Sequence, residues 1–313
     1  MKIRTVFMGS PEFALPTLHR LAEATFVTGV VTQPDRPAGR GQTLTPPPIK
    51  VLAQELGLPV IQPRRLREPE AVQQLIDWKP ELIVVAAFGQ ILRQEVLDLP
   101  VYGCSNVHAS LLPRWRGAAP IQAAILHGDA QSGVTIMRMD PGIDTGPILS
   151  QKAIPILSND TAVSLSGRLA ELGAGLLVET LAGYLSGKIL PRPQEEISKE
   201  PPTYAPMLKK EDGLLDFSQA AVQLERQVRA YAPWPGAYTL WQGQNLKIIK
   251  AHVVEQPNPS TSVEPLPGKE MVYLGLPAIT TCKGLFVIEE LQPAGKKTMS
   301  GKVFINGSRT WGK

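Results

Sequence analysis

The chain has 313 residues, 43% of them hydrophobic, and a formal net charge of +4. That length favours two domains, because single cores usually stop growing near ~250–300 residues. No apolar stretch reaches the ~20 residues of a membrane span, and the N-terminal "MKIRTVFMGSPEF" meets Gly, Pro and Glu too soon for a signal peptide, so a cytoplasmic protein is expected. Two distant cysteines, Cys104 and Cys282, suggest neither a disulfide framework nor a zinc ribbon, and four scattered histidines form no HxxxH pair. No metal site is expected.

In chain order, "RTVFMG" reads as a strand and "SPEFALPTLHRLAEA" as a helix, with Ser10 as its N-cap and Pro11 at the first helical position. "FVTGVVTQ" is the next strand, "IKVLAQELG" a helix stopped by Gly57, and "PVIQP" a short strand. "PEAVQQLIDWK" is helical, "LIVVAAF" a buried strand, and "GQILRQEVLDL" again helical. Near-continuous apolar strands with helices between them predict a Rossmann-like, doubly wound, mostly parallel α/β sheet.

The strand "YGCSNVH" leads into "ASLLPRWRG", and "AAPIQAAILHG" follows as a helix. "SGVTIMRMD" and "PILSQKAIPI" read as strands joined by "PGIDTG", and "TAVSLSGRLAELGAGLLVETLAGYLSG" as a long helix closing a domain at residues 1–189. The Pro- and charge-rich stretch 190–206 reads as a linker. From 207 to 313 the texture changes. One helix, "SQAAVQLERQVRAY", precedes short alternating strands ("GAYTLW", "NLKIIKAHVV", "EMVYLG", "AITTCKG", "LFVIEELQP"), predicting a small OB-like β-barrel. This third carries 13 Lys/Arg against 9 Asp/Glu, whereas residues 1–190 carry 17 against 16. The excess hints at a polyanionic partner for the C-terminal part.

The usual nucleotide signatures are missing: neither GxGxxG after the first strand nor GxxxxGK[ST] occurs. In α/β sheets of this kind ligands sit beyond the carboxyl ends of the strands, where "YGCSNVH" ends. Alternation puts Cys104, Asn106 and His108 on one face. Asn106 offers an amide N–H to a developing oxyanion, and His108 can move a proton near neutral pH. The carboxylate to orient that imidazole is best supplied by Asp144 in the Gly-rich "PGIDTG", with Asp140 as the alternative or as a cap of the Pro141–Gly142 turn. Each residue alone is more often structural than catalytic.

"SNVHASLLPRWRGAAPIQAAILHGD" followed by "GVTIMRMDPGIDTGPIL" resembles the 10-formyltetrahydrofolate-dependent formyltransferases. The resemblance runs over nearly the whole chain, through "VFMGSPEFALPTL", "VVTQPDRPAGRG" and "LQPAGKKTMSG". It implies catalytic roles for Asn106, His108 and Asp144, and a folate pocket lined by Ser110, Leu111, Leu112 and Pro113, with 10-formyltetrahydrofolate as donor. The Pro34–Gly41 loop, with Arg36 and Arg40, and the basic C-terminal domain point within that family to methionyl-initiator tRNA as acceptor and to a role in translation initiation. Other outcomes that the same Asn, His and Asp allow are an amino-sugar nucleotide acceptor or hydrolysis of the donor. A catalytically dead RNA-binding protein is a further reading, against which the intact Asn, His and Asp argue. A monomer is expected, and the Pro34–Gly41 loop, with no apolar residue able to anchor it, is expected to be mobile when free and to order when its guanidiniums meet phosphates or base edges.

Overall fold

The computed structural model describes residues 3–38, 43–255, 266–308 and 310–312. Their contacts divide into two compact units, one comprising Met1–Pro120, Gln131–Pro155 and Ser166–Pro206, the other Ile121–Ala130, Ile156–Leu165 and Met207–Lys313.

The apolar runs of the first half become strands because β-branched residues fit a pleated surface covered on both sides. In chain order the elements are β1 (Arg4–Gly9), α1 (Leu15–Ala24), β2 (Phe26–Val31), β3 (Arg36–Ala38), β4 (Thr43–Thr45), α2 (Pro48–Glu55), β5 (Val60–Ile61), α3 (Pro69–Trp78), β6 (Leu82–Ala86), α4 (Gln94–Leu97), β7 (Cys104–His108), β8 (Arg116–Gly117), α5 (Pro120–Leu126), β9 (Gln131–Arg138), β10 (Ile148–Pro155), α6 (Ala162–Leu185), α7 (Gln194–Ile197) and β11 (Tyr204–Ala205). Among the described residues, one seven-stranded sheet has the order β10-β9-β7-β6-β1-β2-β5. β5, β2, β1, β6 and β7 run parallel, while β9 and β10 add an antiparallel edge. β6 is buried at every residue, as a central strand covered on both faces must be. Chain order reverses between β1 and β6, which places the crevice of a doubly wound sheet at that edge.

Two local expectations are corrected. Ser10 does not cap a helix: its Oγ accepts from the Gln33 N–H at 3.1 Å and from the Thr32 hydroxyl at 3.3 Å. A 3-10 turn at Glu12–Ala14, with Pro11 as its N-cap, precedes α1 instead. The helix expected over "GQILRQEVLDL" is confined to α4, because Gly89 has φ +75° and Gln90 ties itself to the Leu66 N–H and the Pro63 carbonyl. The stretch 190–206 carries local structure. β11 pairs in parallel with β8, and Arg192 exchanges two main-chain hydrogen bonds with Ile148.

The second unit contains α8 (Ala221–Tyr231), β12 (Tyr238–Trp241), β13 (Gln244–Val254), β14 (Glu270–Tyr273), β15 (Leu276–Thr280), β16 (Leu285–Pro293), β17 (Met299–Ser300) and α9 (Gly301–Gly307). Among the described residues these strands form a six-stranded antiparallel sheet, β12-β13-β16-β15-β14 with β17 on β16. Register shifts on either side of Lys250 let the long β13 bend, as the curl of an OB-like half-barrel requires. Its core joins Leu224, Val228, Ile248, Phe286 and Leu291, and an edge-on aromatic group, Trp241, Phe304 and Trp311, closes one side. The described helices include none long and apolar enough to cross a membrane.

Candidate active site

β1, β6 and β7 end at Gly9, Ala86 and His108 on one edge of the sheet. Strand alternation brings Asn106 and His108 to the same face, and the β9–β10 loop returns Asp144 to meet both. Asn106 Nδ2 lies 3.4 Å from Asp144 Oδ1, and His108 Nδ1 lies 3.6 Å from Asp144 Oδ2, with side chains 6% and 16% exposed. The latter separation is too long for a hydrogen bond and suits an ion pair once the imidazole gains a proton. His108 Nε2 is 2.9 Å from the Trp115 carbonyl. A carbonyl only accepts, so Nε2 carries the hydrogen and the neutral ring presents a bare Nδ1 beside Asp144. The main chain thereby selects which ring nitrogen can take up a proton.

Asp144 itself has φ +52°, and its Oδ2 accepts the Gly117 N–H at 2.8 Å. Asp140 serves the turn: its Oδ1 accepts from the Gly142 N–H and from the Thr145 hydroxyl at 3.1 and 2.6 Å. That leaves Asp144 as the carboxylate facing the imidazole.

The residues Ser110 to Pro113 border this centre as a tightly held loop. Ser110 and Leu112 point inward. The Ser110 hydroxyl donates to the Arg114 carbonyl at 2.5 Å, and Leu112 packs with Met137 and Ile148. The buried Thr135 hydroxyl donates to the Ser110 carbonyl at 2.6 Å and accepts the Leu112 N–H at 3.1 Å, while Gln151 Nε2 donates to the Leu112 carbonyl at 2.8 Å. Leu111 is half-buried and Pro113 buried. Neither Thr135 nor Gln151 stands out in the sequence, since both sit within ordinary strand patterns.

Gln194 was equally hidden, in a stretch without periodicity. Its Nε2 donates to the Asp144 and Gly146 carbonyls at 2.8 and 2.9 Å. Its Oε1 accepts from Arg116 Nε and Nη2 at 3.1 and 2.7 Å.

Cys104 shares the face of Asn106 but lies deeper, in the core with Val6, Met8, Ile83 and Val85. Burial pushes its thiol up to about 12, so at neutral pH it is neither a nucleophile nor a leaving group. Cys104→Ala is expected to keep most activity, and iodoacetamide to leave the folded protein unalkylated at this position. A formyl-thioester trapped on Cys104 in a quench experiment would reverse that expectation.

Arg36 is exposed on β3, which pairs antiparallel with β4, and its Nη2 donates to Gln33 Oε1 at 3.2 Å. Arg40 lies outside the described residues. The base of this segment is held by polar side chains. Gln62 Nε2 donates to Asp35 Oδ1 at 2.7 Å and to the Gln33 carbonyl at 2.8 Å, and Lys50 Nζ reaches Asp35 Oδ2 at 2.7 Å. These hydrogen bonds, from Gln62 and then Lys50, hold the Asp35 carboxyl below the usual carboxylate range.

Comparison with known proteins gives concordant matches over both parts of the chain. The formyl transferase family model matches residues 1–181, and the formyl transferase C-terminal domain model matches residues 207–309. A methionyl-tRNA formyltransferase of Geobacter sulfurreducens is 47% identical over 308 residues, covering 98% of this chain and 94% of that protein. One from Magnetococcus marinus is 49% identical over 306 residues, covering 97% and 95%. Among solved structures, the N-formyltransferase of Helicobacter canadensis in complex with folinic acid and dTDP-3-aminofucose superimposes with a TM-score of 0.67 at 19% identity, covering 94% of this chain and 100% of that one. HypX of Aquifex aeolicus in complex with tetrahydrofolic acid gives a TM-score of 0.62 at 17% identity; 99% of this chain is covered, and it spans 48% of HypX. At such identities the two structures speak for the fold, and the sequence relatives speak for the family. The chain belongs to the formyl transferase family and, within it, to the methionyl-tRNA formyltransferases.

Proposed function

We propose that this protein transfers the formyl group of 10-formyltetrahydrofolate to the α-amino group of methionyl-initiator tRNA, the charged tRNA that begins translation in the cytoplasm. The observation that carries this reading is the meeting of Asn106, His108 and Asp144 at the carboxyl edge of the sheet, in a chain whose family formylates that acceptor. A folate-type donor is supported by the tetrahydrofolic acid and folinic acid bound to structural relatives. The Ser110–Pro113 loop borders the same centre and is assigned to the donor side. All three side chains come from one unit of one chain, so a monomer suffices. Chemistry is assigned to residues 1–189 and acceptor binding to Arg36, Arg40 and the basic residues of 207–313, with 190–206 between them.

The chemistry needs only positioned dipoles and one proton path, with no step assigned to a metal. As the amino nitrogen adds to the formyl carbon, negative charge grows on the formyl oxygen. Asn106 Nδ2, held at one side by Asp144 Oδ1, turns its other hydrogen to that oxygen. His108 Nδ1 takes the proton shed by the attacking nitrogen, because Nε2 is committed to the Trp115 carbonyl. Asp144 Oδ2, kept in place by the Gly117 N–H, stabilises the resulting imidazolium. His108 returns that proton to N10 as the carbon–N10 bond breaks, so one C–N bond is made, one is lost and no net proton is consumed.

An acceptor competition tests the reading: formyl transfer to methionyl-initiator tRNA, to a nucleotide-linked amino sugar, and to water. Transfer to the tRNA is expected; transfer to the sugar or to water alone would overturn it. Arg36→Leu and Arg40→Leu are each expected to lower kcat/KM toward the tRNA and to reduce the salt-dependence slope of tRNA binding by about one, as for one lost phosphate contact. Donor affinity should stay constant. Unchanged tRNA kinetics in both variants would leave acceptor binding to the C-terminal third.

A further inference from the structure

We infer that Gln194 is a positioning residue of the formyl-transfer site, holding the Asp144 loop in its working geometry. The inference rests on the functional reading above. The side chain is 2% exposed, and its whole hydrogen-bonding capacity is used. Both Nε2 hydrogens go to carbonyls of the Asp144 loop, at Asp144 and Gly146, and both Oε1 acceptor sites go to Arg116. Arg116 is followed directly by Gly117, whose N–H holds Asp144 Oδ2. Asp144 is therefore gripped at its main chain by Gln194 and at its carboxylate by the next residue along from Gln194's own partner.

That grip matters because Asp144 has φ +52°, a left-handed conformation that a residue with a Cβ keeps only where its surroundings over-determine it. Without the two donated hydrogen bonds the half-buried Asp144 carbonyl and the buried Gly146 carbonyl lose their Gln194 partner. The loop then has reason to relax, carrying Oδ2 away from His108 Nδ1. A glutamate at this position would fill the same volume and keep Arg116, but would turn an oxygen toward two carbonyl oxygens. The requirement is thus for an amide, and packing alone does not explain it.

The experiment measures kcat and KM for Gln194→Glu and Gln194→Met, each in the parent and in an Asp144→Ala background. It also follows the Gly117 amide resonance by NMR. In the parent background kcat is expected to fall about 10²-fold, as for a displacement on the order of 1 Å in a catalytic group, with KM for donor and acceptor held. In the Asp144→Ala background no further fall is expected, since Gln194 acts through Asp144. The Gly117 resonance should move in the direction it moves in Asp144→Ala. An equal fall in both backgrounds, or a Gln194→Glu protein with parent kcat and an unmoved Gly117 resonance, overturns the inference. Should Gln194→Met not fold, Gln194→Glu still decides. A parent that formylates no tRNA defeats the functional reading, while the Gly117 resonance still decides the role of Gln194.

Discussion

Asn106→Ala is expected to lower kcat by about 10²–10³-fold, the usual cost of losing one oxyanion donor, with the donor's dissociation constant little changed. The two outcomes separate because the amide gains most of its interaction only as charge develops on the formyl oxygen. Asn106 is half-buried in the middle of β7 and bonds to Asp144 at 3.4 Å, not to a core partner, so its truncation should leave the fold intact. His108→Ala is expected to cost about 10²–10⁴-fold, the contribution of a general acid–base group. Steady-state kinetics with methionyl-initiator tRNA, alongside donor titration by fluorescence, would check both. Parent turnover in either variant would mean that the chemistry lies elsewhere.

The second large effect is expected at Gly117, whose N–H holds Asp144 Oδ2. Its φ is +110°, and a Cβ there would stand 2.6 Å from the Ala205 carbonyl, closer than a real Cβ sits. Because the obstacle is backbone, Gly117→Ala must open the β8–β11 pairing or shift Gly117 itself. Either change moves the N–H that holds Asp144 Oδ2. A loss of about 1–3 kcal/mol in stability follows from the strained backbone, together with a fall in kcat of about 10²-fold from the displaced carboxylate. Thermal unfolding and kcat measured on one preparation would test this. Parent values for both would show that the loop accommodates the methyl group elsewhere.

Much of the sheet was legible, because residues such as Val6, Val30 and Val84 lie in strands buried on both faces and so form unbroken apolar runs. The partnership of Asn106 with His108 follows from the two-residue period of a strand. Asp144 was legible through loop composition and family resemblance, since nothing local tells an aspartate that caps a turn from one that faces a histidine. In the structure Asp140 takes the former part. The grip on that loop was not legible. Gln194 reaches Asp144 across 50 residues, and Thr203 reaches Trp115 across 88, from a stretch whose prolines and charges hide any period. Helix limits near Gly89 were misplaced because a positive φ and a side-chain tie to another loop overrode a helical apolar pattern. The terminal "KVFINGSRTWGK" holds most of α9 and the aromatic contacts of Trp311.

The pairing of β11 with β8 bears on how this gene can be recombined with those of its relatives. The N-terminal family match stops at residue 181, an inviting place to join one parent to another. A crossover there would make the acceptors for five main-chain donors foreign: Trp115 N–H loses its own Thr203 hydroxyl, Arg116 N–H its Thr203 carbonyl, Ala118 and Ala119 N–H their Ala205 carbonyl, and Ile148 N–H its Arg192 carbonyl. It would also separate Arg116 from Gln194. Chimeras joined after Pro206 inherit these contacts from one parent, so functional hybrids should cluster at that later junction.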